Sequence, residues 1–413
     1  MNFEFYIAKR LITGKEDKIS VSAPIIKIAI AAIALSIIMM LIALSTGVGL
    51  KMKIREKIAA FNGHIQISNY DNNTSEVSVT PVSTVQDFYP EFKDVDGISH
   101  VQAVASKGGI IRTKETFEGF IAKGVGPDYV WDAFEEYLVA GRLPDYTGAL
   151  NEEVLLSALM ANRLGLKVGD DFFAIFPKET DPLNQPNQRK FMVVGIYDSG
   201  FEELDGKYLF CDIRHIQRMN KWKATEVGNF EVFLNDFDDV DAKSEEIYGK
   251  TLSNLDTKSL KQGYFQIFEW IRLFDFNIAL IIGIMIIVGG INMITALLVL
   301  ILERTPMIGI LKALGSANWS IRKVFLYNAA YLIGIGLFWG NLIGLGILLL
   351  QQKFRWATFP NPEEYYIDYI PVHLDVLTVV LLNIGVMVLC LLMLLIPSHI
   401  ITKISPVKAI EFE

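Results

Sequence analysis

The strongest constraint on this chain is a run of 26 mostly apolar residues near its start, residues 25–50, in which Lys27 is the only charged residue. A helix needs about 20 apolar residues to cross roughly 30 Å of hydrocarbon, so this run is long enough to span a membrane. Three further apolar runs occur at about residues 276–302, 324–350 and 376–396. Because 52% of all residues are hydrophobic, we predict a membrane protein with four transmembrane helices.

The spacing of the four runs predicts one span, a large globular domain and then three more spans. In chain order we predict an N-terminal amphipathic helix at 1–24, span one at 25–50, an α+β domain with its stalks at 51–272, span two at 273–302, a short helix at 303–317, span three at 318–350, a loop at 351–375, span four at 376–398 and a tail at 399–413. The fold class is therefore a four-helix membrane protein with a large α+β domain inserted between helices 1 and 2.

Lys and Arg in short flanking segments predict the orientation, because such segments remain in the cytoplasm. These residues are frequent before span one, after span two and after span four, whereas residues 61–270 carry 34 acidic and 20 basic side chains. Both termini and the short helix are therefore predicted to be cytoplasmic, and the large domain extracytoplasmic. An acidic domain also argues against nucleic-acid binding.

The large domain has no recognisable catalytic signature. Motifs of the HExxH, CxxC and GxSxG types are absent and the five histidines are scattered, so we predict neither a catalytic nor a metal site. Alternating patterns predict strands at 63–70, 172–176, 190–198 and 229–236. A helix is predicted at 154–166, and the glycine-containing segment 200–208, with the wrong spacing for a phosphate loop, is interpreted as a hairpin turn.

Residues 303–323, ERTPMIGILKALGSANWSIRK, form a charged, amphipathic segment between spans two and three. Thr305 followed by Pro306 is typical of an N-cap with proline at the first helical position, and Gly315 suits a left-handed helix end, after which Ser316 can cap the next helix. Apolar residues at i, i+3, i+4 and i+7 predict one stripe, made of Met307, Ile310, Leu311 and Leu314 with Glu303, Arg304 and Lys312 beside it. The pattern alone leaves two interpretations open: a helix resting on lipid headgroups, or a docking element for a cytoplasmic partner.

The same segment, extended to ERTPMIGILKALGSANWSIRKVFL, resembles the coupling helix of the MacB/LolC/LolE/FtsX group of ABC-transporter permeases, the type VII permeases, which have the same layout of spans. Four other segments are similar to parts of that group: FYIAKRLI at 5–12, REKIAAFNGHIQI at 55–67, GRLPDYTGALNEEVLLSALMANRLGLKVGD at 141–170 and SPVKAIEFE at 405–413. Within the group, VVGIYDSGFEELDGKYLFCDI at 193–213 and YYIDYIPVHLD at 365–375 are most similar to the lipoprotein-releasing LolC/LolE branch.

This resemblance implies a permease subunit, and not an enzyme, in the inner membrane of a bacterium. Such a permease extracts lipoproteins from that membrane with energy from ATP and passes them to a periplasmic chaperone. The implied partners are two LolD-like ATPase subunits, a second permease copy or paralogue, the lipoprotein substrate and a LolA-like chaperone. No Walker motif occurs in this chain, so ATP and Mg²⁺ are expected on the ATPase subunit and no cofactor on this one. Two alternatives stay open: an FtsX-like signalling permease that activates a cell-wall hydrolase, and a MacB-like efflux permease.

The resemblance also implies three groups of site residues. ATPase coupling is expected at Glu303, Arg304, Met307, Ile310, Leu311, Lys312, Leu314 and Gly315. The proline-containing insertion at 176–191 resembles the hook that recruits the chaperone, with Pro182, Pro186, Gln188 and Arg189 as candidates, although its pattern equally fits a plain exposed loop. Span one is expected to line a lipid cavity with Ile37, Met40, Leu41 and Leu44, although ordinary packing is an alternative for each.

Two features of the later spans predict helix packing. Span three carries Gly334, Gly336, Gly340, Gly344 and Gly346, and this small-residue spacing is typical of helices that approach closely in membranes. In span two, Asn292 lies in apolar surroundings and needs a hydrogen-bond partner, which we expect on another helix.

Overall fold

The computed structural model describes residues 3–13, 22–72, 75–113, 116–177, 186–360, 365 and 367–403. The chain divides into two compact units. We call residues 1–51, 271–357 and 370–413 the helical unit, and residues 52–270 and 358–369 the sheet unit.

The helices of the chain are α1 (Phe3–Thr13), α2 (Ser22–Asn62), α3 (Asp132–Tyr137), α4 (Ala158–Leu164), α5 (Glu202–Asp205), α6 (Ile213–Asn220), α7 (Val240–Lys250), α8 (Leu260–Gly263), α9 (Phe265–Glu303), α10 (Thr305–Ala313), α11 (Asn318–Phe354), α12 (Val376–Ser398) and α13 (Ile400–Lys403). Four of them, α2, α9, α11 and α12, are long and apolar enough to cross a membrane, which confirms the predicted number and order of spans. Helices α2 and α9 extend well beyond the predicted spans, to Asn62 at the end of α2 and to Phe265 at the start of α9.

Glycines of α11 bring that helix close to α2. A Cβ atom at Gly340 would overlap the side chain of Ile37, and one at Gly344 would lie 3.1 Å from Leu41 Cδ1. By contrast, nothing lies within 4 Å of the Cβ position at Gly334 or Gly346. Gly336, Gly340 and Gly344, spaced four residues apart on one face of α11, are therefore the glycines that permit close packing against α2.

Among the described residues Asn292 has no hydrogen-bond partner on another helix, contrary to the prediction. Its side-chain amide instead donates to the carbonyl of Val288, one turn earlier in α9, at 2.9 Å. A polar contact between helices occurs elsewhere: Asn341 of α11 and Asn383 of α12 exchange two amide hydrogen bonds of 2.6 and 3.0 Å. Each amide also donates to a carbonyl of its own helix, so both side chains are well satisfied in apolar surroundings.

The strands are β1 (Ile65–Asn69), β2 (Val82–Ser83), β3 (Ile98–Arg112), β4 (Phe117–Val125), β5 (Leu138–Gly141), β6 (Glu153–Ser157), β7 (Asp171–Phe176), β8 (Asn187–Tyr197), β9 (Tyr208–Asp212), β10 (Glu226–Val227), β11 (Asn229–Leu234) and β12 (Leu255–Ser259). In the main sheet the order is β12-β1-β11-β3-β4-β9-β6-β8-β5, and β7 pairs with both β3 and β8. Strands β3, β4, β9, β6, β8 and β7 therefore form a closed ring. The pairs β4–β9 and β6–β8 are parallel and the other pairs of the ring are antiparallel, so the sheet is mixed as the α+β prediction requires.

Two local predictions in the sheet unit are wrong. The predicted helix 154–166 begins as strand β6, and helix α4 starts only at Ala158, where the Ser157 hydroxyl accepts a hydrogen bond from Met160 N. A short apolar run cannot be assigned to helix or strand by its period alone, which explains the error. The segment 200–208 is not a hairpin turn, because it contains α5 and the strands on either side, β8 and β9, are separated in the sheet by β6.

A fully buried ion pair crosses the interior of the sheet unit. Lys123 of β4 lies 2.6 Å from Glu231 of β11, and each side chain is only 2% exposed. The ammonium also donates to the carbonyl of Phe61 near the end of α2, and the second oxygen of Glu231 accepts from Gln102 at 2.8 Å. Burial lowers the pKa of Lys123, while the Glu231 carboxylate opposes that effect. The pair thus ties two strands to the last turn of α2.

Candidate functional site

Helix α10, between α9 and α11, ends where its sequence predicts, but its N-cap differs from the prediction. Gly315 has a φ of +88°, and the N–H of Ser316 donates to the carbonyl of Leu311 at 3.0 Å, so glycine ends α10 in the left-handed conformation. At the start, the predicted cap at Thr305 is wrong, because Arg304 occupies the cap position and the Thr305 hydroxyl donates back to the carbonyl of Ile301. The predicted cap at Ser316 is also wrong, since Ala317 precedes α11.

The predicted apolar stripe of α10 is divided between two faces. Ile308 is fully buried, and Met307 and Leu311 pack against the core of the helical unit. Ile310 and Leu314, one turn apart, are 53% and 78% exposed. The helix therefore uses one side of the stripe to attach to its own unit and offers the other side to solvent or to a partner. We call Pro306, Ile310, Ala313 and Leu314, which are all exposed, the α10 face.

The charged residues beside the stripe have different surroundings. Lys312 donates from its ammonium to the carbonyl of Ile401 in α13 at 2.6 Å, and burial lowers its pKa. Glu303 is exposed at the end of α9, and Arg304 is half-buried at the start of α10. Lys312 is thus a structural anchor in this chain and is not presented on the α10 face.

A second cation, Arg322 of α11, anchors the end of α12. Its guanidinium donates to the carbonyl of Leu395 at 3.0 Å and to the hydroxyl of the fully buried Ser398 at 3.1 and 3.2 Å. The last carbonyls of a helix have no partner within that helix, and a cation stabilises them. Lys312 therefore joins α10 to α13, and Arg322 joins the start of α11 to the end of the last spanning helix.

The insertion predicted as a hook lies between β7 and β8, which form an antiparallel hairpin from Asp171↔Met192 to Phe176↔Asn187. Pro182 lies outside the described residues. Pro186 is exposed directly before β8, whereas Gln188 and Arg189 belong to the strand and pair with Ile175 and Ala174. The prediction of a loop over the whole of 176–191 is therefore wrong at its C-terminal end, where the strand begins at Asn187.

The outward side of this hairpin carries exposed apolar residues beside the ion pair of Asp171 and Lys190. Phe172, Ala174 and Phe176 point into the core of the sheet unit, and the intervening Phe173 is 58% exposed. On the neighbouring strands Ile110, which pairs with Ile175, and Phe117, which pairs with Arg112, are 43% and 72% exposed. We call Ile110, Phe117 and Phe173 the hairpin face. Separate exposed apolar residues are common on surfaces, but a group on adjacent strands is typical of a protein contact.

The span-one candidates are mostly internal to the chain. Ile37, Met40 and Leu41 are fully buried and Leu44 is half-buried. Ile37 and Leu41 contact α11 at the positions where glycine permits close approach. Their burial is thus explained by contacts within the helical unit, and a role in lining a lipid cavity stays a prediction.

Comparison with known proteins places these features in a family. Residues 28–248 match the model of the MacB-like periplasmic core domain, and residues 279–406 match the C-terminal FtsX-like permease model. The first match covers more than half of the chain. The chain belongs to the family of the MacB-like periplasmic core domain. The second match adds that its last three spans and α10 are those of an FtsX-like permease.

Relatives of this permease include proteins named for lipoprotein release. The lipoprotein-releasing system transmembrane protein LolC of Haemophilus influenzae is 25% identical over 62% of this chain and 63% of its own length, and LolE of that organism is 22% identical over 62% and 64%. The chain thus spans a little less than two thirds of the length of these relatives. The crystal structure of the periplasmic region of MacB from Actinobacillus actinomycetemcomitans covers 50% of this chain and 92% of its own, with 16% identity and a TM-score of 0.32.

Sequence reasoning located α10 but missed the contacts that hold it and the neighbouring α11 in place. Ile308 was not included in the stripe, and neither Lys312 nor Arg322 was expected to bind the end of α12 or α13. Their partners are more than 70 residues away in sequence, so no local pattern indicates them. One general signal was present: cations favour helix C-termini, where they can bind free carbonyls.

Proposed function

We propose that this chain is the permease subunit of an ATP-driven ABC transporter that extracts lipoproteins from the inner membrane and passes them to a periplasmic chaperone. In this proposal both termini and α10 are cytoplasmic and the sheet unit is periplasmic. The chain acts with two LolD-like ATPase subunits, which bind ATP and Mg²⁺, and with a second permease copy or paralogue. The names of the relatives LolC and LolE support the lipoprotein as substrate.

The observation that carries the proposal is the α10 face, an exposed apolar surface on a short helix between two spans. An apolar helix face can enter a groove on a partner, with anchors spaced at i and i+4 such as Ile310 and Leu314. Lys312 binds α10 to α13, and Arg322 binds the neighbouring α11 to the end of α12. A push on the α10 face can therefore reach the end of the last span. The ATPase subunit is the partner that would deliver such a push.

The hairpin face supports the second half of the proposal, transfer to a chaperone. Phe117 and Phe173 supply exposed aromatic surface, and aromatic residues are enriched where protein interfaces bind most strongly. Gln188 and Arg189 lie at the same hairpin, next to the insertion that resembles a chaperone hook. We therefore propose the hairpin face, together with this insertion, as the site that recruits a LolA-like protein.

The coupling step is tested by changing Leu314 to Asp in the full-length chain. Leu314 is highly exposed, so a carboxylate there should leave the fold intact and remove ATPase binding, whereas Leu311→Asp would also disturb packing because Leu311 contacts the core. We expect the ATPase subunit to be lost from the purified complex. The matched control is Leu252→Asp, which changes an exposed leucine of the sheet unit.

Retention of the ATPase subunit at the wild-type level by the Leu314→Asp variant would contradict the proposed coupling role. Loss of the subunit from both variants would indicate misfolding, which the yield of membrane-inserted chain measures independently. For the chaperone step, Phe173→Asp should abolish binding of the chaperone while the ATPase subunit stays bound.

A further inference from the structure

A groove in the helical unit lies outside the α10 face and the hairpin face. An open groove of about 550 Å³ runs along α2 and α11, lined by Ala31, Ala34 and Ile38 of α2 and by Ile335, Trp339 and Ile343 of α11. The three α11 residues are spaced four apart and form one wall. Ala31 and Ala34 leave space in the groove, because their side chains end at Cβ. We call this the α2–α11 groove.

One end of the groove carries a cation. Lys27 also lines it and is exposed, and within the described part of the chain its ammonium has no hydrogen-bond or ion-pair partner. All the other side chains named above are apolar. A groove with one cation at one end matches an amphiphile that has an anionic head and an apolar tail.

The position of Lys27 along α2 places that cation at the edge of the bilayer. Lys27 and Lys51 are 24 positions apart, which corresponds to ~36 Å of helix, so they bracket a hydrocarbon layer of roughly 30 Å. From Lys27 to Ile38 the groove covers 11 positions, or ~16 Å, about half of that layer. Its length is therefore that of an acyl chain in a single leaflet.

We propose that the α2–α11 groove binds one anionic phospholipid of the leaflet on the Lys27 side, with its phosphate at Lys27 and an acyl chain between Ala31 and Trp339. A lysine near the membrane surface attracts anionic lipids, and an acyl chain in the groove covers the apolar wall of α11. The site is independent of the α10 face, so it does not require the proposed transport function.

The test uses the full-length chain in nanodiscs of equal phosphatidylglycerol and phosphatidylcholine, with native mass spectrometry to count the lipids that remain bound after release. The wild-type chain should retain phosphatidylglycerol preferentially. Lys27→Gln should lower that preference about fivefold, and Lys27→Arg should preserve it. Ala31→Phe should fill the groove and remove the retained lipid whatever its headgroup.

Two control variants separate the groove from the general surface of the spans. Lys353→Gln removes a charge at the opposite end of α11, and Ala279→Phe enlarges an exposed alanine of α9; both should retain lipid like the wild type. The proposal is overturned if the wild type retains the two lipids in the bulk ratio, or if Lys27→Gln keeps the full preference. Disulfide cross-linking of two chains through Ala31→Cys would assign the groove to a second copy of the permease instead.

Discussion

The sheet unit and the helical unit bury polar groups in opposite ways. In the sheet unit the side chains of Lys123 and Glu231 lie 2.6 Å apart, both buried, with further hydrogen bonds to Gln102 and the carbonyl of Phe61. In the helical unit Asn341 and Asn383 form a neutral amide pair between α11 and α12, and the cation Arg322 of α11 contacts the last turn of α12. The comparison teaches that the sheet unit buries an ion pair where several groups supply hydrogen bonds, whereas the spans approach through small residues and neutral amides and carry this cation near the end of a helix.

This difference predicts how each unit fails. Removing one member of an ion pair leaves an uncompensated charge, so the sheet unit should be most sensitive to loss of charge balance. The spans approach through glycines, so the helical unit should be most sensitive to added volume. The following changes test the contrast from the largest expected effect to the smallest, each by hydrogen exchange of the full-length chain.

The largest effect is expected for Glu231→Gln. Lys123 would remain buried without the carboxylate of Glu231, which should lower the free energy of unfolding by about 3–5 kcal/mol. Hydrogen exchange in β4 and β11 should therefore increase greatly. The control, Glu246→Gln, breaks the exposed pair of Glu246 with Lys243 and should cost less than about 1 kcal/mol. Equal exchange in the two variants would contradict the importance given to the buried pair.

The combined variant Lys123→Met with Glu231→Leu sharpens this result. If the cost of Glu231→Gln arises from an unpaired charge, removing both charges should recover most of the lost stability. No recovery would mean that the pair is needed for packing or for its contact with Phe61.

A pH-dependent effect is expected at Asp205 of α5. Its carboxylate accepts hydrogen bonds from Ser199 N at 3.1 Å and Ser199 Oγ at 2.6 Å. Burial raises the pKa of Asp205 from the ordinary value of 3.8 to about 7. The charge of Asp198 adds to this rise, and the charge of Lys57 opposes it. Between these two values the folded state keeps a proton that the unfolded state has lost. Stability of this corner should therefore decrease as pH rises through that window, by about 1.4 kcal/mol per pH unit.

The measurement is exchange at residues 199–206 on both sides of this pH window, corrected for the intrinsic rate. Asp205→Asn cannot ionise, so the pH dependence of protection should disappear in that variant. An unchanged pH dependence would assign the effect to another group.

A smaller effect is expected for Gly340→Ala. The new methyl group would overlap Ile37 and lie 2.9 Å from the carbonyl oxygen of Ala34, so α2 and α11 must separate, at a cost of about 1–3 kcal/mol. Gly346→Ala is the matched control, because its Cβ meets nothing within 4 Å and alanine favours a helix by up to about 1 kcal/mol. Similar protection of α2 from hydrogen exchange in the two variants would contradict close packing of α2 against α11 at Gly340.

The smallest effect is expected for Asn383→Leu. The interhelical amide pair is lost, and hydrogen bonds of this kind between spans contribute about 0.6–1.7 kcal/mol. Asn292→Leu is the control, since within the described residues the side chain of Asn292 bonds to its own helix, at Val288. A larger loss for Asn292→Leu than for Asn383→Leu would contradict the assignment of the helix contact.

The sequence predicted the helical unit better than the sheet unit. Four long apolar runs determine the spans, and the spacing of Gly336, Gly340 and Gly344 indicates which face of α11 packs. In the sheet unit, β6 was predicted as part of a helix and its insertion between β8 and β9 was not expected. Strand order depends on contacts between distant segments, and a local pattern contains no information about them.

The candidate site shows the same limit. The position of α10 and its end at Gly315 were readable from the residues, because caps and periodicity are local. Which apolar residues of α10 are buried could not be predicted, because it depends on the packing of Ile308 into a core that other helices form. The hydrogen bond from Lys312 to the carbonyl of Ile401 was not predicted, and a role of Lys312 in ATPase coupling stays a prediction.

The central claim is tested most directly by purifying the full-length chain with its native membrane partners and adding ATP and a LolA-like chaperone. Our account predicts that an ATPase subunit and a triacylated lipoprotein accompany the chain, and that the lipoprotein moves to the chaperone only when ATP is hydrolysed. A complex that contains a cell-wall hydrolase or an outer-membrane efflux channel, and no lipoprotein, would contradict it.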